Sequence, residues 1–377
     1  MTTPDTRSQR ARITRVLALA ALLSDCTLFT PAQYQVEPLP YSYGCARRAC
    51  PDSDQVELTY LGVSGFMIAY RGHVLLTSPM FSNPPASDVR PARSYPFWRA
   101  PTIRPDTQLI ERLLPAAANS ASMIIVGHSH YDHVLDLPYI ATHRATSAVI
   151  YGTPTMRHIL MGDPRLRAGG GARVREISAN NLASATRVGT WYYDRDSAFR
   201  IMALAADHAP TFRALGVTVT FAKGSLDKDL DALPRTAEEW RLGETYTYLI
   251  DVLRPRSDEP IFRIYFQDAP NTAPKGFPPP RAAIGRAVDL AILCLPTSRN
   301  VRPAAPDSLL TVLAPRYVVA SHWESFFRQQ IYPLMLNPES HMTAFIHSLH
   351  TKLPPTSRWV IPSPRTVLRF DTGASRM

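Results

Sequence analysis

The chain predicts an α/β fold in which strands and helices alternate, and three observations carry that expectation. Apolar, β-branched runs bounded by turn formers recur along it, Met123-Ile124-Ile125-Val126 being the clearest, and such runs read as buried strands. Helical stretches fall between them, at residues 107–114 and 155–161. Four strands far apart in sequence end close to a ligand-type side chain, at His128, His208, Asp268 and His322, and loops held by rigid strands are where chemistry collects.

Composition sets the outer limits. With 377 residues, 45% of them hydrophobic and 19% charged, the chain can bury a large core, and general disorder is excluded. The net charge of +10 comes almost wholly from arginine, since Lys223, Lys228, Lys275 and Lys352 are the lysines. A basic surface favours anionic partners. There is no Lys/Arg block of the kind that marks a nucleic-acid patch, so no specific nucleic-acid partner is expected.

Residues 1–26 read as an export signal. Arg7, Arg10, Arg12 and Arg15 precede the apolar run from Val16 to Leu23, which is too short to span a bilayer, for which about 20 residues are needed. Leu22-Leu23-Ser24-Asp25-Cys26 resembles a bacterial lipoprotein processing site in which Cys26 becomes the lipidated first residue, although Asp25 stands where a small residue is usual. Cleavage near Thr30-Pro31-Ala32 is the alternative. The lipoprotein reading places the protein in the bacterial cell envelope, anchored to the membrane and facing the periplasm. Cys45 and Cys50 are near enough to close a small disulfide in such a compartment; Cys294, within an apolar run, reads as a buried residue.

Residues 27–54 form an irregular arm rich in Pro, Tyr and turn formers, and residues 55–377 the catalytic domain. Three strands open it, at 56–61, 65–70 and 73–77, with Arg71-Gly72 as the turn between the last two. Residues 84–105, with many prolines and the patch Tyr95-Pro96-Phe97-Trp98, read as a long loop near the mouth of a site. Further strands are expected at 148–151, 199–205, 245–253, 261–266, 288–295 and 316–320. Gly169-Gly170-Gly171 lacks phosphate-cradle spacing and reads as a turn.

The decisive segment is Gly127-His128-Ser129-His130-Tyr131-Asp132-His133, which packs three imidazoles and a carboxylate into six consecutive positions. In an extended loop His128 and His130 project to the same side, because side chains alternate. Asp132 and His133, at the start of the following helix, point elsewhere. That spacing suits two adjacent metal ions better than one, and imidazole with carboxylate favours borderline divalent ions, zinc first, with manganese or iron as alternatives.

The pattern His-x-His-x-Asp-His, matched by His128, His130, Asp132 and His133, resembles that of the metallo-β-lactamase superfamily over residues 56–370. The resemblance implies an αβ/βα sandwich of two mixed sheets flanked by helices. It makes His208 the third ligand of the first metal, with Asp207 as the neighbour that could serve instead. It makes His322 the third ligand of the second metal and Asp268 the bridging carboxylate, and it assigns catalytic roles to Asp132 and His322. The words His-x-His-Tyr-Asp-His and His-Trp-x-x-Phe, the latter at His322-Trp323-Glu324-Ser325-Phe326, resemble the branch containing the N-acylphosphatidylethanolamine-hydrolysing phospholipase D. This sequence departs from the family's usual pattern at Val63, Ser78 and Gln267, where His, Asp and Gly are usual; the first two are expected beside the ligating imidazoles.

What the resemblance implies is hydrolysis by a metal-bound hydroxide, with no protein nucleophile and no organic cofactor. The substrate is then a small-molecule or lipid ester. A phosphodiester, as for a phospholipase D, is the first choice; a lactone or carboxylester on the same metals is the second. A non-catalytic envelope binding or assembly protein on a hydrolase-like fold is the alternative from another class. His73, His143, His158, His341, His347 and His350 lack a ligand-like setting, and among them His341 is the candidate substrate contact.

Overall fold

The computed structural model describes residues 41–43, 54–89, 100–214, 217–301 and 306–372. The export signal with Cys26, the Cys45–Cys50 pair and the centre of the proline-rich loop, residues 90–99, lie outside the described residues. No helix among the described residues is long and apolar enough to cross a membrane.

Two mixed sheets face one another. The first takes β1 (Tyr41–Tyr43), β2 (Gln55–Gly62), β3 (Gly65–Tyr70), β4 (His73–Thr77), β5 (Ala121–Ile125), β6 (Val149–Gly152) and β7 (Val174–Glu176), followed much later by β17 (Val367–Asp371). Its order is β1-β17-β2-β3-β4-β5-β6-β7. The second takes β8 (Tyr192–Tyr193), β9 (Phe199–Ala206), β12 (Thr245–Leu253), β13 (Pro260–Gln267), β14 (Leu290–Cys294), β15 (Tyr317–Ser321) and β16 (Arg358–Val360), in the order β16-β15-β14-β13-β12-β9-β8. A small ribbon pairs β10 (Phe212–Ala214) with β11 (Val217–Val219).

The period-two rule explains why the strand runs are continuously apolar. In the first sheet Leu58, Tyr60, Phe66, Ile68, Leu75, Met123 and Ile125 point into the core shared with the second sheet. Their neighbours Met67, Val74, Leu76 and Ile124 point the other way, against Ile110, Leu137, Ile140 and Met156 of the helices Thr107–Leu113, Leu137–His143 and Pro154–Leu160. Helices Asp307–Leu313 and Met342–Lys352 connect β14, β15 and β16 and pack on the second sheet through Leu309, Leu310, Phe345 and Leu349. The result is the expected αβ/βα sandwich.

Local chemistry sets the boundaries. Between β3 and β4, Arg71 and Gly72 both hold positive φ, 49° and 84°, as a two-residue hairpin turn requires. Asp106 accepts from the Leu109 amide and caps the helix Thr107–Leu113. Strands β9 and β13 run slightly beyond the expected residues and β14 falls short of them; β12 matches its expected bounds. The three glycines at 169–171 form a turn with φ between 68° and 71°.

Within the second sheet, Asp251 and Arg263 are both fully buried and joined by two bonds, Nε to Oδ1 at 2.6 Å and Nη2 to Oδ2 at 2.8 Å. Arg200 adds a third at 2.9 Å and stacks on Trp191 at 4.4 Å. Removing one member strands a charge in a dry interior, which typically costs about 3–5 kcal/mol. Asp251→Ala is therefore expected to lower stability by about that amount in denaturant unfolding; a variant as stable as the wild type would show that water or backbone oxygens suffice for Arg263.

Candidate metal centre

The parallel strands of both sheets direct their carboxyl ends to one edge, where ligands gather in α/β folds. β5 runs into His128, His130, Asp132 and His133; β9 into His208; β13 into Asp268; β15 into His322. These residues, scattered over almost 200 positions, meet in three overlapping groups: His128, His130 and His208; His128, His133 and Asp268; Asp132, His133 and His322. All seven expected ligands are thus brought together. His128 and His130 share one group, as the alternation argument requires, and Asp132 and His133, on the short helix Tyr131–Val134, share another with His322.

Hydrogen bonds assign the imidazole nitrogens, because a carbonyl or carboxylate can only accept and the nitrogen facing it must carry the proton. His130 donates from Nε2 to the Phe221 carbonyl at 2.9 Å, and His208 from Nδ1 to the Ala209 carbonyl at 2.6 Å. His128 donates from Nδ1 to Asp268 Oδ2 at 2.9 Å. The remaining nitrogens, His128 Nε2, His130 Nδ1 and His208 Nε2, therefore carry lone pairs. His128 Nε2 is buried with no hydrogen-bond partner, an arrangement that costs free energy unless something accepts its lone pair. A metal ion is such a partner, and metal-binding imidazoles commonly donate their other N–H to a carbonyl or carboxylate as these three do.

The second group centres on Asp132 Oδ2, with His322 Nε2 at 3.2 Å and His133 Nε2 at 3.5 Å. His133 Nδ1 lies 3.0 Å from Asp268 Oδ1. Asp268 thus touches an imidazole of each group with a different oxygen, as a bridging carboxylate must. Nitrogen and carboxylate donors in this number fit zinc, manganese or iron.

Electrostatics prepare these groups for a cation. Burial, reinforced by neighbouring imidazoles, lowers His128 and His130 and pushes His208 down to about 3, so all three are neutral at pH 7 and their lone pairs are free. Burial alone would push Asp132 and Asp268 up, but His133 with His322 outweighs it at Asp132, and His133 with His128 at Asp268. Both carboxylates are held well below the usual range and stay ionised.

Asp207 and His208 turn different ways, through a contact that sequence does not show. Asp207 turns outward to an ion pair with Lys275 at 2.7 Å, while the His208 ring lies 4.8 Å from that of His128. His341 is exposed at the N-cap of the helix Met342–Lys352 and belongs to none of the three groups. His73 does stand near Asp194 and Asp196. However, Asp194 already accepts from Ser122 Oγ and from the Phe199 amide, which leaves an exposed contact between His73 and Asp196. Cys294 is free and buried, as expected. Val63 does lie beside the centre, its carbonyl accepting from the His322 amide at 2.7 Å. Ser78 instead bonds back to the Ile125 carbonyl at the end of β5.

Several supporting residues escaped sequence reasoning. A Cβ at Gly127 would stand 2.3 Å from that of Asp268, so glycine at the head of the motif is what lets the carboxylate reach the imidazoles. Glu324 fills an unspecified position of the His-Trp-x-x-Phe word, yet it is buried against Tyr60 and Val63. Aromatic rings frame the centre: Phe221 lies 6.0 Å from the His130 ring, Phe326 lies 4.8 Å from the His322 ring, and Tyr131 stands 6.3 and 6.4 Å from the two.

No protein-family model matches the chain, and no curated protein matches it in sequence. Its fold is similar to that of Igni18, a novel metallo hydrolase from Ignicoccus hospitalis, at 16% identity over 84% of this chain and 98% of that one, with a TM-score of 0.45. The metallo-beta-lactamase fold protein YhfI from Bacillus subtilis is similar at 12% identity over 84% and 99%, with a TM-score of 0.46. The isothiocyanate hydrolase from Delia radicum gut bacteria is similar at 15% identity over 82% and 98%, with a TM-score of 0.41. These likenesses are distant, and the chemistry of the centre follows from this chain's own side chains.

Gly127→Ala forces Asp268 away from His128 and His133, and metal per chain by elemental analysis is expected to fall while circular dichroism stays native. Full metal content in that variant would mean that the close approach of Asp268 to Gly127 is dispensable.

Proposed function

We propose that the protein is a hydrolase dependent on two divalent metal ions, zinc first, acting on a phosphodiester in the manner of a phospholipase D. The observation that carries the metal reading is the convergence of seven donors around three imidazole lone pairs, one of them buried without a partner. A bound pair of divalent ions supplies a water of lowered pKa and a Lewis acid for the substrate oxygen. The chain supplies the rest. Asp132, ionised in its imidazole setting, accepts a hydrogen bond from the attacking water and orients it. His130 and His208 are held in one tautomer by the Phe221 and Ala209 carbonyls.

Charge balance favours an anionic substrate. Only two carboxylates, Asp132 and Asp268, belong to the donor set, so two divalent ions leave the loaded centre cationic, and a phosphodiester gains more from that field than a neutral lactone does. The rings of Phe221, Tyr131 and Phe326 offer apolar surface to groups flanking the scissile bond. A lipidated Cys26 would hold such a site beside phospholipid at the periplasmic membrane face, and we include that anchor in the proposal.

Metal-loaded protein assayed against bis-(4-nitrophenyl) phosphate, lactones and a chromogenic β-lactam is expected to turn over the phosphodiester fastest, and His130→Ala to lose both metal and turnover. Turnover of lactones alone would replace the substrate assignment, and full activity in a metal-free variant would end the metal-dependent reading.

A further inference from the structure

The loop after β15 reaches back to the turn between β2 and β3 through a buried hydrogen-bonded knot. Glu324 accepts from the Tyr60 hydroxyl with Oε2, a contact between residues 264 positions apart, and from the Val63 amide with Oε1 at 2.7 Å. The His322 amide in turn donates to the Val63 carbonyl at 2.7 Å and lies 3.1 Å from Tyr60 Oη. His322 and Val63 both hold left-handed backbone conformations, with φ of 59° and 55°, which residues bearing a Cβ adopt only when their surroundings hold them there. Gln330 closes the same knot, bonding the Leu61 carbonyl at 2.7 Å directly over Gly62.

We propose that Glu324 is a positioning residue for the second cation site: together with Tyr60 it holds the His322 backbone in the strained conformation that aims Nε2 at Asp132. The inference rests on the metal-centre reading and deepens it. The first site needs no such device, because His128 and His130 follow directly from β5 and His208 is held by the Ala209 carbonyl. His322 is the one ligand whose backbone departs from the regions open to ordinary residues; its amide is tied to Val63 and Tyr60 of the opposite sheet, and the Glu324 carboxylate holds both of those partners in place. Loss of the knot is therefore expected to be felt unequally by the two sites.

The test is an equilibrium titration of chelator-stripped protein with Zn2+, following bound metal per chain in the wild type, Glu324→Ala and Tyr60→Phe. The wild type is expected to bind two ions. Both variants are expected to bind the first with unchanged affinity and the second about 10- to 100-fold more weakly, the usual effect of removing support from a ligand. Circular dichroism reports whether each variant is folded, and if Glu324→Ala is not, Tyr60→Phe, which removes a single hydroxyl, decides alone. Two sites of wild-type affinity, or equal weakening of both, would overturn the inference and leave the metal centre standing. A wild type that binds no zinc would overturn both.

Discussion

The buried carboxylate of Asp268 is the interaction on which the rest of the structure depends. It lies fully out of water with His128 Nδ1 at 2.9 Å on one oxygen and His133 Nδ1 at 3.0 Å on the other, and an isolated charge there would be heavily penalised. Holding it requires three things at once: the end of β13 must meet the end of β5, the residue before His128 must lack a side chain, and the imidazoles must be oriented by partners of their own. Each requirement is met by a different part of the chain: at Gln267-Asp268, at Gly127, and, for His133, at Asp132, whose Oδ2 stands 3.5 Å from its Nε2. The two sheets are thus linked by their shared apolar core and by a polar centre at its edge.

That arrangement divides labour between the sheets. The first contributes four donors from one short segment after β5, and the second contributes single donors from β9, β13 and β15. A single segment can set the spacing among its own four groups, but the other three depend on how the sheets are packed, so the centre inherits its precision from the apolar core between them. The buried Arg263–Asp251 pair, deep in the second sheet, belongs to that scaffold and not to the chemistry. The aromatic rings of Phe221 and Phe326 stand beside His130 and His322.

Much of this was legible in the sequence because the signals are local. Three imidazoles and a carboxylate in six positions need no tertiary information to be recognised, and the strands leading to His208, Asp268 and His322 announce themselves by apolar β-branched runs. The resemblance favoured His208 over Asp207, but what turns Asp207 away, an ion pair with Lys275, 68 residues on, was not legible. The part played by Glu324 was hidden for the same reason: its partner Tyr60 looks like any aromatic of an amphipathic strand until the fold closes. Gly127 stood in plain view at the head of the motif, but nothing in one dimension says that a carboxylate from β13 will press against it. His341 was singled out for its place near the C-terminal helix, and the structure exposes it at the cap instead.

Crystals grown with zinc and measured at its absorption edge would test the central claim most directly. The account predicts two anomalous peaks per chain about 3.5–4 Å apart, one among His128, His130 and His208 and the other among Asp132, His133 and His322, with Asp268 between them. Absence of both peaks at full zinc occupancy of the solution, or peaks confined to other surface groups, would contradict it.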